Sequence, residues 1–111
     1  MQKTDLLAKH CVPCEGGVAP FDEKKIAAYM PGLSLPWDVI DGKKISHQFT
    51  FKTFPDAVKF VDRIVPVAET EGHHPDLHIY YNKVMVELWT HAIGGLSEND
   101  FIMAVKIESL I

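Results

Sequence analysis

Trp37-Asp38-Val39-Ile40-Asp41-Gly42-Lys43-Lys44-Ile45-Ser46-His47-Gln48-Phe49-Thr50-Phe51 is the stretch on which the fold turns. Asp41-Gly42 between two apolar runs is a strong hairpin signal, because a tight two-residue turn needs residues that tolerate positive φ. Beyond the turn, Ile45, His47, Phe49 and Phe51 alternate with Ser46, Gln48 and Thr50. Alternation with period two buries one face of a strand and leaves the other to polar groups. A second hairpin is predicted downstream, with strands over 77–81 and 84–91 about Asn82-Lys83. Two hairpins make an antiparallel sheet whose apolar face must be covered.

The cover comes from three helical stretches. Residues 21–30 carry Ile26, Ala27 and Met30 on one side with Asp22 and Glu23 early, where acids suit a helix N-terminus, and Pro31-Gly32 stops them. Thr53 caps a helix running to about Glu71, with Ala57, Val58, Val61, Ile64, Val65 and Ala68 as its core stripe. Pro66 lies inside it and cannot donate to the carbonyl of Asp62, so the spacing predicts a kink or two shorter pieces. Ser97-Glu98-Asn99-Asp100 resembles a capping box and opens a last helix to about Ser109, with Phe101, Ala104, Val105 and Leu110 among its apolar positions. The predicted order is αββαββα: an α+β fold in which a four-stranded antiparallel sheet has helices packed on one face. Residues 1–20 read as an irregular lead-in and 21–111 as the folded domain.

Composition sets outer bounds. At 111 residues, 47% hydrophobic and 23% charged, the chain suits one domain, large enough to bury about two-thirds of its unfolded surface. A net charge of -4 argues against a nucleic acid partner, which calls for a basic face. No apolar run approaches the ~20 residues that cross a bilayer, and the first ten residues lack the apolar stretch of a secretory signal, so a cytoplasmic location without membrane contact is expected. Cys11 and Cys14 form one C-x-x-C beside His10. With no second pair, and placed before any strand, they read as reduced thiols; a zinc site completed by His10 and a distant histidine, or a redox pair, is the alternative.

Three of six histidines crowd into one region, His73, His74 and His78, with His91 further on. In Glu71-Gly72-His73-His74-Pro75-Asp76, Gly72 suits the left-handed residue past a helix end, and Pro75 forces His74 extended. The two histidines therefore sit on a loop at the exit of the long helix and point different ways. Carbonyls at a helix end favour a protonated imidazole. The arms from His73 to the turn and back to His91 are nearly equal in length, so the hairpin returns His91 to the His73-His74 corner. Against this stand plainer readings. Two histidines before a proline also suit a solvated loop, His91 an edge residue bonded to backbone, and Asp100 a helix cap. His47 and His78 read as ordinary strand residues, and Trp37 and Trp89 as core or interface aromatics.

Glu69-x-x-x-His73-His74-Pro75, then Tyr81-Asn82-Lys83-Val84, Thr90-His91 and Gly95-Leu96-Ser97-x-x-Asp100, closely resembles the signature of the pterin-4a-carbinolamine dehydratases. The likeness runs upstream through Phe49-x-Phe51-Lys52-x-Phe54 and Trp37, covering about residues 20–110. It implies dehydration of a 4a-hydroxytetrahydropterin to a quinonoid dihydropterin, with no cofactor and no metal. On matching positions it implies His73 and His91 as the acid/base pair and His74 as the residue that positions the pterin. Glu69 and Asp100 are implied to orient histidines, and Trp37 to wall the pocket. Trp89, sharing a strand face with His91, is expected to point away from it. The resemblance further implies a homodimer or homotetramer. The competing classes are a dimerisation or coactivator module, a zinc-binding protein, and a relative serving molybdopterin metabolism with a similar pocket.

Overall fold

Alternating apolar residues in two hairpins build the sheet, and the structure, a computed structural model, describes residues 2–13 and 16–111. Strands β1 (Asp38–Ile40), β2 (Lys44–Thr50), β3 (Asp76–Tyr80) and β4 (Lys83–Leu88) form an antiparallel sheet in the order β1-β2-β4-β3. Asp41 and Gly42 both take positive φ and the Lys43 N–H closes the turn on the Ile40 carbonyl at 2.9 Å, as the Asp-Gly pair predicts. In the second hairpin the turn comes one residue earlier than predicted. Tyr80 pairs with Lys83, leaving Tyr81-Asn82 as the loop, and Tyr81 takes φ 52°. Asn82 ties this turn to a residue outside the hairpin: its Nδ2 donates to the Phe51 carbonyl, and its own carbonyl accepts the Phe51 N–H, both at 2.8 Å.

Ile45, Phe49, Val84, Val86 and Leu88 are buried under the helices, the core face that the alternation predicts. Helix α3 (Phe54–Glu71) crosses this face, capped by the Thr53 side chain on the Asp56 N–H. It runs unbroken through Pro66, so it is not two pieces. Pro66 and Asp62 both lie on the exposed side, where water can bond the carbonyl that the proline leaves free. The core stripe is Ala57, Phe60, Ile64 and Ala68; Phe60 is not in the predicted stripe, while Val58 and Val61 are only partly buried and Val65 is half exposed.

Helix α4 (Glu98–Glu108) is the centre of the molecule, with Phe101, Ile102, Met103, Ala104, Val105 and Ile107 all buried. A helix apolar on every side must be surrounded, and α4 touches β4, α3 and an N-terminal helix, α1 (Lys3–Ala8). That helix corrects the reading of residues 1–20 as wholly irregular. Leu6 is fully buried, and Gln2 and Asp5 cap the first turn. Six residues are too few for a periodic pattern, and such a helix is held by tertiary contact rather than propensity. Helix α2 (Glu23–Tyr29), capped by Asp22, passes into a 3-10 turn at Met30–Gly32, and the rings of Phe21, Tyr29 and Phe101 pack together at 5.0–6.1 Å between centroids. Among the described residues, no helix is long and apolar enough to cross a membrane.

Candidate active site

Where α3 ends, Gly72 turns the chain at φ 66° and its N–H donates to the Ala68 carbonyl at 2.9 Å. A side chain at that angle costs roughly 1–2 kcal/mol, which glycine avoids. The turn sends His73 inward and His74 outward. His73 Nε2 lies 2.6 Å from Asp100 Oδ1, and Asp100 is fully buried at the start of α4. The other carboxylate oxygen, Oδ2, accepts the Ser97 N–H and the Thr90 hydroxyl, each at 2.9 Å. Asp100 is thus both the helix cap and the partner of a histidine, two roles that the sequence offers as alternatives. Its buried charge has three donors and a helix N-terminus to balance it. His74 Nε2 meets Glu69 Oε2 at 2.5 Å, but both side chains are largely exposed.

The return arm differs from the predicted strand over 84–91. Strand β4 stops at Leu88; Thr90 pairs with Gly95, and His91 opens a 3-10 turn, His91–Ile93. Leaving the strand releases Trp89 and His91 from strict alternation. Trp89 therefore does not point away: its ring stacks on His91 with centroids 3.9 Å apart and planes at 25°. The indole N–H donates to Asp76 Oδ2 at 3.0 Å, which fixes the ring from its far end.

These groups share one cavity of about 370 Å³, lined by His73, His74, Asp76, Trp89, Thr90 and His91, and on another side by Val12, Pro13 and Asn99. That volume suits a small organic ligand. The hairpin does bring His91 back to the histidine corner. Glu69 and Asp100 stand behind His74 and His73. Trp37 is a correction: it lies outside this cavity, buried in the core, its Nε1 donating to Glu108 Oε2 at 2.9 Å. The side chain of Glu108 is buried and also accepts the Ser34 and Leu35 N–H groups, so it needs the indole as a donor. Trp89 and Asn99, which the sequence reading leaves out of the site, also line this cavity, and each flanks a chosen residue by one or two positions. A larger apolar hollow beside α2 has Glu23 as its one titratable lining residue, too little for acid/base chemistry.

Cys11 directly precedes Val12 and Pro13 in the lining of the histidine cavity. The Cys11 thiol donates to the Asn99 carbonyl at 3.6 Å. Burial, with the nearby charges of Glu71 and Asp100, pushes it up to about 12, so it is an unreactive thiol. His10 Nδ1 pairs with Glu71 Oε2 at 2.8 Å. Cys14 lies outside the described residues. Among those described, no three His, Cys, Asp or Glu side chains converge as metal ligands.

The family model described as pterin 4 alpha carbinolamine dehydratase matches residues 19–110. The chain belongs to the pterin-4a-carbinolamine dehydratase family. Within it, a curated relative from Rickettsia canadensis, provisionally named as such a dehydratase, is 44% identical over 97% of this chain and 99% of its own length. One from Chlorobaculum tepidum, named in the same way, is 46% identical with the same coverage. The similarity of these dehydratase relatives therefore includes most of the N-terminal segment that the family model leaves out. Among solved structures, a transcriptional coactivator/pterin dehydratase from Brucella melitensis superposes with a TM-score of 0.76 at 33% identity, over 82% of this chain and 97% of that one. A pterin dehydratase-like protein identified as a RuBisCO assembly factor, 18% identical with a TM-score of 0.59 over 69% of this chain and 90% of that one, shares the fold.

Proposed function

We propose that this protein dehydrates a 4a-hydroxytetrahydropterin to the quinonoid dihydropterin, with His73 and His91 exchanging the protons. The observation that carries this reading is the meeting of both imidazoles on one small cavity, with Asp100 fixed behind His73. In the reaction the N5–H proton passes to a base. The electron pair released at N5 forms the C4a=N5 bond, the C4a–O bond breaks, and the departing hydroxyl takes a proton to leave as water. No electrons are exchanged with an outside partner, and exchange with solvent restores both histidines.

His73 suits the base. With the proton on Nε2 shared with Asp100, the lone pair sits on Nδ1, and the imidazolium formed on accepting a proton is balanced by the buried carboxylate. His91, on the other arm and held by Trp89, supplies the proton to the hydroxyl. His74 is exposed, bonded through Nε2 to an equally exposed Glu69, and positions the pterin. Self-association as a homodimer or homotetramer belongs to this reading and is supported by the exposed Ile79, Tyr80 and Tyr81 on edge strand β3 and its turn.

A stopped-flow assay with synthetic 4a-hydroxytetrahydropterin tests it. His73→Ala and His91→Ala should each lower kcat by about 10²–10⁴-fold while the thermal melt persists, and chelator should leave the wild-type rate intact. Near-wild-type turnover in both variants overturns the histidine assignment. Loss of activity on chelation, restored by zinc, overturns the metal-free reaction.

A further inference from the structure

Residues 10–13 belong to none of the chemistry above, yet Val12 and Pro13 line the same cavity as His73 and His91. Val12 is two-thirds exposed, an apolar side chain at the mouth of a polar pocket. Two buried polar side chains hold the segment. Asn99 Oδ1 accepts the Val12 N–H at 3.1 Å while Asn99 Nδ2 donates to the Val12 carbonyl at 2.7 Å. Glu71 Oε1 accepts the Cys11 N–H at 2.7 Å, and its other oxygen meets His10. Further along, Gly16 passes against the Ala92 carbonyl, which a Cβ there would approach to 3.3 Å. Each anchor is a near neighbour of a proposed site residue: Glu71 of His73, Asn99 of Asp100, and Ala92 of His91.

We propose that this N-terminal strap is a binding wall for the pterin, with Val12 and Pro13 in van der Waals contact with the bound ligand and Asn99 as the residue that positions them. This rests on the dehydratase reading and extends its site to residues outside the matched family region. The contact is apolar because Asn99 already occupies both backbone polar groups of Val12, leaving its side chain to meet the ligand. Such a wall acts on binding, since it offers nothing to a moving proton.

The test compares wild type with a Val12→Ala/Pro13→Ala double variant and with Asn99→Ala, in steady-state dehydration and in titration with 7,8-dihydrobiopterin followed by tryptophan fluorescence. The double variant should raise KM and the dihydrobiopterin Kd on the order of ten-fold, with kcat within about two-fold, and Asn99→Ala should move KM the same way. Because Val12 is exposed, the double variant keeps its fold even if Asn99→Ala does not. An active wild type whose KM and Kd are unmoved by the double variant overturns the strap and leaves the dehydratase reading standing. A wild type without dehydratase activity overturns that reading instead. The dihydrobiopterin titration then decides the strap: weaker binding by the double variant supports it, and equal or absent binding overturns it.

Discussion

His73 and His74 are neighbours in the chain, and each meets a carboxylate through Nε2, yet the two pairs are physically unlike. His73 is seven-eighths buried against a carboxylate with no exposure, whereas about two-thirds of each side chain in the His74–Glu69 pair is open to water. A charge-assisted bond in a dry site is strong and geometrically fixed; an exposed ion pair is screened and contributes little. Gly72 and Pro75 create the difference by turning one imidazole into the protein and the next one out. On the proposed reading, the first histidine is thereby held for proton transfer, and its neighbour is left for binding. A third pair, His10–Glu71, lies between: the carboxylate is buried and the imidazole exposed.

Among changes to the carboxylates that partner the histidines, the largest expected effect comes from removing the buried charge. Asp100→Asn keeps the shape and one cap acceptor but loses the carboxylate opposite His73. A hydrogen bond to a charged group contributes about 1.5–3 kcal/mol, so kcat should fall roughly 10–100-fold. Rapid kinetics on the folded variant checks this, and a kcat within a factor of two of wild type would show that burial of Asp100 matters for the cap alone.

The middle case is read through pH. Burial alone would raise Glu71 above the usual carboxylate value of 4.5. The Cys11 N–H, His10 and the Lys106 charge outweigh it, and the net shift is downward. A carboxyl whose folded value is lowered stabilises the fold above its unfolded value, and that stability is lost as pH falls through the folded value. Glu98 shifts the same way, held by Tyr29 and Lys9 against its own burial. Melting temperature should therefore fall as pH is taken below about 4.5. Glu71→Gln should lower stability at pH 7 by about 1 kcal/mol and flatten that acid limb; unchanged acid unfolding in the variant would mean that Glu71 carries none of it.

How much of this was legible follows from the range of each signal. Asp41-Gly42, Thr53, Gly72 and Ser97 are local rules of backbone geometry, and each marks its element within a residue or so. The return of His91 needed only counting along two arms. What failed depended on distant partners. Tyr81 turns where Asn82 is bonded to Phe51, thirty-one residues away, and Trp37 enters the core because Glu108 needs a donor. The strap over the cavity depends on Asn99 and Glu71 reaching back to the N-terminus. No spacing rule reports a contact between residues 12 and 99. Trp89 failed for another reason: strand alternation was carried past the point where the strand stops.

The smallest effect is the sharpest check on the contrast between the two histidines. Glu69→Gln removes a charge as Asp100→Asn does, at a similar distance from an imidazole, but from an exposed site. An exposed pair contributes up to about 1 kcal/mol, a factor of about five in binding. Glu69→Gln should therefore leave kcat unchanged and raise KM by no more than about five-fold. Salt separates the mechanisms further. At 1 M ionic strength the Debye length is about 3 Å, comparable to the His74–Glu69 contact, so the Glu69 effect should shrink, whereas the Asp100→Asn defect should persist because ions do not reach a fully buried carboxylate. Kinetics of both variants at low and high salt provides the measurement. If Glu69→Gln instead lowers kcat as far as Asp100→Asn, and salt leaves the loss in place, then solvent exposure is not what divides the labour of the two histidines.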